Sequence, residues 1–326
     1  MIELGLDTFG DVVFDTGGRL VSQAQALRNV VTEGVHAETV GVDAFGVGEH
    51  HRPDFAVSAP EVVLAAIAGR TERIRLGSAV TVLSTDDPIR VFQRFSTLNA
   101  VSNGRAEVIL GRGSFTESYP LFGYDLSKYN ELFEEKLAAF AKLLDQQPIV
   151  YPQIENGRLR TWVGVGGSPE SVVRAAYYGL PMMLAIIGGD AARFRPYVDL
   201  YHRTVKERGL APLPVGVHSP GYVADTDAQA REEFWAGYKQ MHDRIGAERG
   251  WPPMGHAAFE REVEYGALYV GSPETVARKI AATAKSLGVA RFDLKYSAGP
   301  LAHAKLMRSI ELYGTRVIPI VRELLA

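Results

Sequence analysis

Gly41-Val42-Asp43-Ala44-Phe45-Gly46-Val47 reads as a short strand, and Gly48-Glu49-His50-His51 follows directly with a carboxylate and two imidazoles. Ser58-Ala59-Pro60-Glu61 then opens a helix, as a capping box with proline in the first turn. The same alternation runs outward in both directions. Upstream, Ile2 to Leu6 forms a first strand, and its helix carries Leu20, Ala24, Leu27 and Val31 on one face. Downstream, Ile74 to Val82 is a third strand, followed by Asp87-Pro88, a cap with proline at the first helical position. That helix places Val91, Phe95 and Leu98 together and stops at Asn103-Gly104, a left-handed C-terminal cap. Ala106 to Leu110 is the fourth strand, and the helix after it carries Phe133, Leu137, Phe140 and Leu144. Later strands fall at Thr161 to Val165, Met182 to Ile187, Pro214 to His218 and Phe292 to Tyr296, with helices from about Ser168, Asp190, Asp227 and Ala302.

Eight strands, each followed by a helix, predict an α/β protein with a (β/α)8 TIM barrel over residues 1–326 as a single domain. A doubly wound open sheet gives the same alternation, but the count of eight and the lack of a dinucleotide fingerprint favour the barrel. Two stretches stand outside the simple pattern as insertions after strands four and seven. They are the aromatic-rich connection Gly111 to Asn130 and the segment Lys239 to Tyr265, both candidate lids. Gly271-Ser272-Pro273-Glu274 echoes Gly167-Ser168-Pro169-Glu170, one helix-start solution used twice.

Composition narrows the function. The 326 residues carry 35 Lys and Arg against 38 Asp and Glu, a net charge of −3, which offers no field for holding nucleic acid. The longest unbroken apolar run, Val62 to Ala68, is too short to span a membrane. The start Met1-Ile2-Glu3-Leu4-Gly5 has no basic flank before an apolar core, so a cytoplasmic enzyme is expected. Cysteine is absent, which excludes disulfides, thiolate metal sites and thiol nucleophiles.

Active sites of parallel barrels lie at the C-terminal ends of the strands, so those ends form the list of candidates. Glu49-His50-His51 offers acid, base and orienting groups near neutral pH. Neighbours on an extended chain point to opposite faces, and no other His or carboxylate pattern has ligand spacing, so no metal is expected. Gly164-Val165-Gly166-Gly167-Ser168-Pro169 is a strand, a glycine turn and a helix start that suits a phosphate, although a plain capped helix has the same pattern. Ser297-Ala298-Gly299-Pro300 is a rival phosphate turn after the last strand. Arg112, set between glycines, suits a phosphate or carboxylate. His218 reads as a hydrogen-bonded rim residue, and Lys295 is the obvious strand lysine for Schiff-base chemistry of the lyase or aldolase kind.

Taken in order, these motifs resemble the bacterial luciferase-like family of flavin-dependent monooxygenases. The resemblance runs through Gly41-Val42-Asp43 to Gly48-Glu49-His50-His51, then Leu76 to Leu83 and Asp87-Pro88-Ile89-Arg90. It continues through Asn103 to Gly113, Leu121-Phe122-Gly123-Tyr124, Val163 to Ser171 and Gly179-Leu180-Pro181-Met182. The resemblance implies the same barrel. It implies that Arg112 and Ser168 hold the FMN phosphate with Gly166, Gly167 and Ser171, and that His50 is the catalytic histidine with His51 beside it. It places a non-prolyl cis peptide at Ala79-Val80, under the flavin ring. It implies reduced FMN as co-substrate, usually delivered by a separate reductase, reacting with O2 to a C4a-peroxyflavin that attacks an aldehyde or another small organic molecule.

The resemblance also implies a homodimer. Phe115, Tyr119, Phe122 and Tyr124 are expected to wall a dry pocket. Gly111 departs from luciferase itself, which has cysteine there, and Lys239 to Tyr265 departs as well, so light emission is not expected. The alternatives are F420-dependent hydride transfer and a flavin-binding protein without turnover.

Overall fold

Residues 1–146 and 150–326 are described by a computed structural model. Its strands are β1 Glu3–Thr8, β2 Ala44–Val47, β3 Arg75–Ser78, β4 Thr81–Val82, β5 Ala106–Gly111, β6 Arg160–Val165, β7 Met182–Ala185, β8 Val215–Val223, β9 Tyr269–Gly271 and β10 Arg291–Lys295. All pairings among them are parallel. β10 pairs with β1 through Glu3↔Arg291 and with β8 through Arg291↔Gly216, which closes the sheet into a barrel of eight strands. β4 and β9 are short additions, paired with β5 at Thr81↔Leu110 and with the outer end of β8 at Gly221↔Tyr269.

The eight expected strands are the eight barrel strands. The third is interrupted: β3 ends at Ser78, the Ala79–Val80 peptide bond is cis, and pairing resumes at Thr81. Asp87 caps its helix by accepting from the N–H groups of Ile89 and Arg90, and Asn103 and Gly104 end it with positive φ. Ser58, in contrast, caps nothing. The N-cap of the helix Pro60–Ala68 is Ala59, without a side-chain bond, and Pro60 supplies the start.

Two further expectations are corrected. The first helix, Gln23–Thr39, begins after Leu20 and leaves Ala24 exposed; its inner face is Ala26, Val30, Gly34 and Ala37. Gly34 belongs there because a side chain at that position would meet Ile67 at 2.5 Å. The segment Lys239 to Tyr265 is mostly helical, the end of Asp227–Arg249 and the whole of His256–Tyr265. Phe234, Tyr238 and Phe259 bury the contact between these two helices.

Apolar packing divides into two parts. The large core lies between the strands and the surrounding helices, and a small cluster of Ile109, Trp162 and Met183, with Val80 against it, fills the barrel axis. Below that cluster the axis is ionic. Arg291 is buried, bonds Asp293 with Nε at 2.8 Å from Oδ1, and bonds Glu107 through Nη1. Gly5 and Gly77 make room for these carboxylates, since a Cβ would fall 2.2 Å from Asp293 Oδ1 and 2.7 Å from Glu107 Cγ. Trp162 faces two guanidiniums, Arg160 at 5.3 Å and Arg291 at 5.5 Å from its ring. The N-terminal half of the barrel is therefore plugged, and open space remains at the C-terminal ends of the strands.

Removing one member of a buried ion cluster leaves its partners charged and unpaired, at a cost of about 3–5 kcal/mol. Arg291→Met is expected to lower stability by that amount in urea denaturation. An unchanged midpoint and slope would contradict the packing described.

Candidate active site

A cavity of about 670 Å³ opens at those strand ends, within the usual range for a ligand pocket. Its floor holds Ala79, Val80, Ile109, Gly164 and Met183, and its outer wall holds Tyr238, Met241, Ile245, Trp251 and Met254. The segment after strand seven thus walls the site with the helix Asp227–Arg249 and the turn that follows it.

Glu49 organises one side. Its N–H donates to Val80 O at 3.0 Å, and its Oε2 accepts from Val82 N at 2.8 Å, so one residue holds the chain just after the cis bond at two points. Its Oε1 holds His51 Nε2 at 3.0 Å. His51 is therefore an anchored ring at the cavity edge. His50 points elsewhere, as expected for adjacent residues of an extended segment. Its ring lies among Phe9, Phe55 and Phe115 at centroid distances of 4.3, 4.8 and 4.9 Å. Its Nδ1 is buried without a hydrogen-bond partner, and Glu117 Oε1 stands 3.9 Å away. Burial pushes the His50 pKa below the ordinary histidine value, against the opposing pull of Glu117. The result is an imidazole biased towards its neutral form among aromatic rings, with Nδ1 unpartnered beside Glu117.

Ala79 and Val80 line the floor, and the expected cis bond joins them. Val80 also explains Gly111: a Cβ at that position would fall 2.4 Å from Val80 Cγ2. Gly166 lines the cavity edge, and an added Cβ there would meet nothing within 4 Å. Gly167 has φ +95°, which favours glycine, and Ser168 caps the helix Pro169–Tyr177, accepting from Ser171 N. The hydroxyls of Ser168 and Ser171 lie 2.9 Å apart. Gly167, Ser168 and Ser171 sit beside the cavity and not in its lining.

Arg112 also stands outside the lining, donating to Asn130 Oδ1 at 2.8 Å and lying over the Tyr129 ring at 5.2 Å. It has no carboxylate partner within 4.0 Å among the described residues.

Other expectations change. Of the aromatic stretch, Phe115 lines the cavity; Tyr119 is buried with its hydroxyl on Arg112 O, Phe122 meets the His51 ring edge-on, and Tyr124 receives Lys136. The rival phosphate turn is already satisfied, because Asp11 accepts from Ser297 Oγ at 2.7 Å and from Gly299 N at 2.9 Å. Lys295 lines the cavity, but its Nζ bonds Ser297 O and faces Asp11 Oδ2 at 3.4 Å, an ion pair and not a nucleophilic amine. His218 is a lining residue held by Asp7, and Glu117 and Phe9 join the site without any signal in the sequence beyond their place near strand ends.

A parallel barrel with its cavity, imidazoles and helix start at the C-terminal ends of the strands has the layout of a barrel enzyme. The chain belongs to the luciferase-like monooxygenase family, whose model matches residues 9–291. It is 22% identical to an alkanal monooxygenase alpha chain from a Kryptophanaron alfredi symbiont, over 97% of this chain and 98% of that one. Among solved structures, monooxygenase RslO1 from Streptomyces bottropensis superposes with a TM-score of 0.82 at 19% identity, covering 98% of this chain and 99% of its own.

The oxygenating constituent of 3,6-diketocamphane monooxygenase from Pseudomonas putida, in complex with FMN, gives 0.76 at 20% identity, with 98% of each chain covered. An F420-dependent secondary alcohol dehydrogenase gives 0.76 at 17% identity, covering 98% of this chain and 99% of its own. At these identities the structural likenesses establish the shared fold. No helix among the described residues is long and apolar enough to cross a membrane.

The surroundings of His50 make its titration a direct check. Its proton-linked midpoint, followed by NMR of the imidazole, is expected below the ordinary value. Glu117→Gln removes the carboxylate that favours the charged ring and is expected to lower the midpoint further. A rise in Glu117→Gln would contradict the arrangement.

Proposed function

We propose that this chain, acting as one unit, is a monooxygenase that uses reduced FMN and O2 to oxygenate a small organic substrate. The observation that carries the reading is the placing of His50, buried and unpartnered at Nδ1, in the same cavity as the apolar Ala79–Val80 shelf and Gly166. Bound reduced FMN would supply the electrons that activate O2. The chain's residues fit it: Ala79, Val80, Ile109 and Gly164 form an apolar floor for a flat ring, and the buried aromatics keep water away. Gly166, Gly167, Ser168 and Ser171 offer backbone and hydroxyl donors at a helix N-terminus for the phosphate. Arg112, without a carboxylate partner among the described residues, adds the charge.

His50 handles the proton that oxygen transfer requires, and Glu117 stands close enough to stabilise the protonated ring. His51 is a positioning residue, held by Glu49. The substrate is small and largely apolar, matching the wall of Met241, Ile245, Trp251 and Met254. A separate reductase supplies the reduced flavin, a homodimer is the working assembly, and the cytoplasm is its compartment. F420-dependent hydride transfer is the second reading, favoured by an F420-dependent neighbour that covers 98% of this chain.

Equilibrium binding of FMN and of F420 separates the two readings, with tighter binding of FMN expected. His50→Ala should leave FMN binding within about twofold while turnover falls by about 10²–10⁴. Ser168→Ala should do the opposite, weakening FMN about tenfold at nearly unchanged saturated turnover. Equal losses of binding and turnover in His50→Ala would overturn its proton role.

A further inference from the structure

One hydrogen-bonded pair at the cavity, a buried Asp7 and a half-buried His218, has no part in that reading. Asp7 lies in β1 and His218 in β8, on the two strands that flank β10. His218 Nδ1 stands 2.7 Å from Asp7 Oδ2, so this nitrogen carries a proton and donates it to the carboxylate. The ring lines the cavity beside Phe9, nearly parallel to it at 13° with centroids 6.4 Å apart. No described protein group bonds Nε2, and Nε2 is not among the polar atoms sealed from solvent, so it faces the open space.

The charged groups around the ring are accounted for. Asp7 comes from β1, and Asp293 and Lys295 come from β10. Asp293 is held by Arg291, and Lys295 by Ser297 and Asp11. Burial works against a charged His218, but the Asp7 carboxylate outweighs it and holds the imidazole pKa above the ordinary value. An imidazolium has donors at both nitrogens, and here one is spent on Asp7 while the other is offered to the cavity. His50, with its pKa shifted the opposite way, also packs on Phe9, at 4.3 Å between ring centroids.

We infer that Asp7 and His218 form an anion subsite, in which a carboxylate-held imidazole donates from Nε2 to a ligand atom that bears negative charge. Two ligands carry that chemistry: the reduced isoalloxazine ring and the carboxylate of an organic substrate. The first rests on the flavin reading above, and the second stands without it.

The test uses two matched pairs of probes, reduced against oxidised FMN under anaerobic conditions and octanoate against octanol. Each is titrated at pH 7 into the full chain, His218→Gln and Asp7→Asn. Gln keeps a donor for Asp7 while removing the charge, and Asp7→Asn removes the counter-charge while keeping the ring. The wild type is expected to prefer the anionic member of one pair. His218→Gln should reduce that preference about tenfold or more, and Asp7→Asn should reduce it in the same direction. A loss confined to the FMN pair places the donor on the cofactor; a loss confined to the octanoate pair places it on the substrate. If FMN does not bind in either form while the octanoate preference is present and lost in His218→Gln, the flavin reading falls and the subsite stands. Preferences unchanged in His218→Gln, or no preference in the wild type for either pair, would overturn the inference.

Discussion

The buried contact of Arg291 with Glu107 and Asp293 decides where this barrel can hold a ligand. Three charged side chains occupy the axis on the N-terminal side, with Trp162 above them. They fit because Gly5 and Gly77 present no side chain where the carboxylates lie. The burial of these ions is tolerable because each has a partner, and it does not of itself make the fold more stable than an apolar plug would. What it does is fill half of the axis with groups that cannot give way to a ligand. The space of about 670 Å³ left at the other end is where every candidate catalytic group gathers.

Within that space Glu49 has the corresponding local role. It is bonded to Val80 O, Val82 N and His51, so the end of β2 and the break between β3 and β4 are one unit. His50, next in the chain, is then held against Phe9, Phe55 and Phe115 and keeps an unpartnered nitrogen. The cavity therefore carries two imidazoles of opposite character, both near the Phe9 ring. Burial pushes the His50 pKa down, and Asp7 pulls that of His218 up. Pushing two pKa values apart in this way is the usual means by which one site supplies both a proton acceptor and a cationic donor.

The barrel was legible because its information is local. Each strand is a short apolar run bounded by glycine, proline or a cap, and all eight barrel strands fall where those signals put them. Local signals failed where packing overruled them. Gly34 is a buried contact with Ile67, which apolar periodicity does not register. The helix Asp227–Arg249 buries Gly237 and Gly246 as well as Phe234 and Tyr238, so its inner face lacks a clear apolar stripe. At the site, Glu49-His50-His51 was readable as a contiguous motif, and the Ala79–Val80 cis bond came only from the family resemblance. The partners were not. Asp7 meets His218 across 211 residues of sequence and Asp11 meets Ser297 across 286, distances over which spacing carries no signal. Asp11 also shows how a phosphate-like turn can be satisfied by the protein's own carboxylate.

If this cavity brings reduced flavin and oxygen together under control of the protein, the flavin reoxidises there differently from free FMN. Stopped-flow mixing of the anaerobic protein and reduced FMN with oxygenated buffer, followed by absorbance and flavin fluorescence, reads the difference. Flavin reoxidation in the presence of the protein is expected to pass through a phase that free FMN lacks. Traces identical to those of free FMN, at protein concentrations that bind it, would show that the cavity exerts no such control.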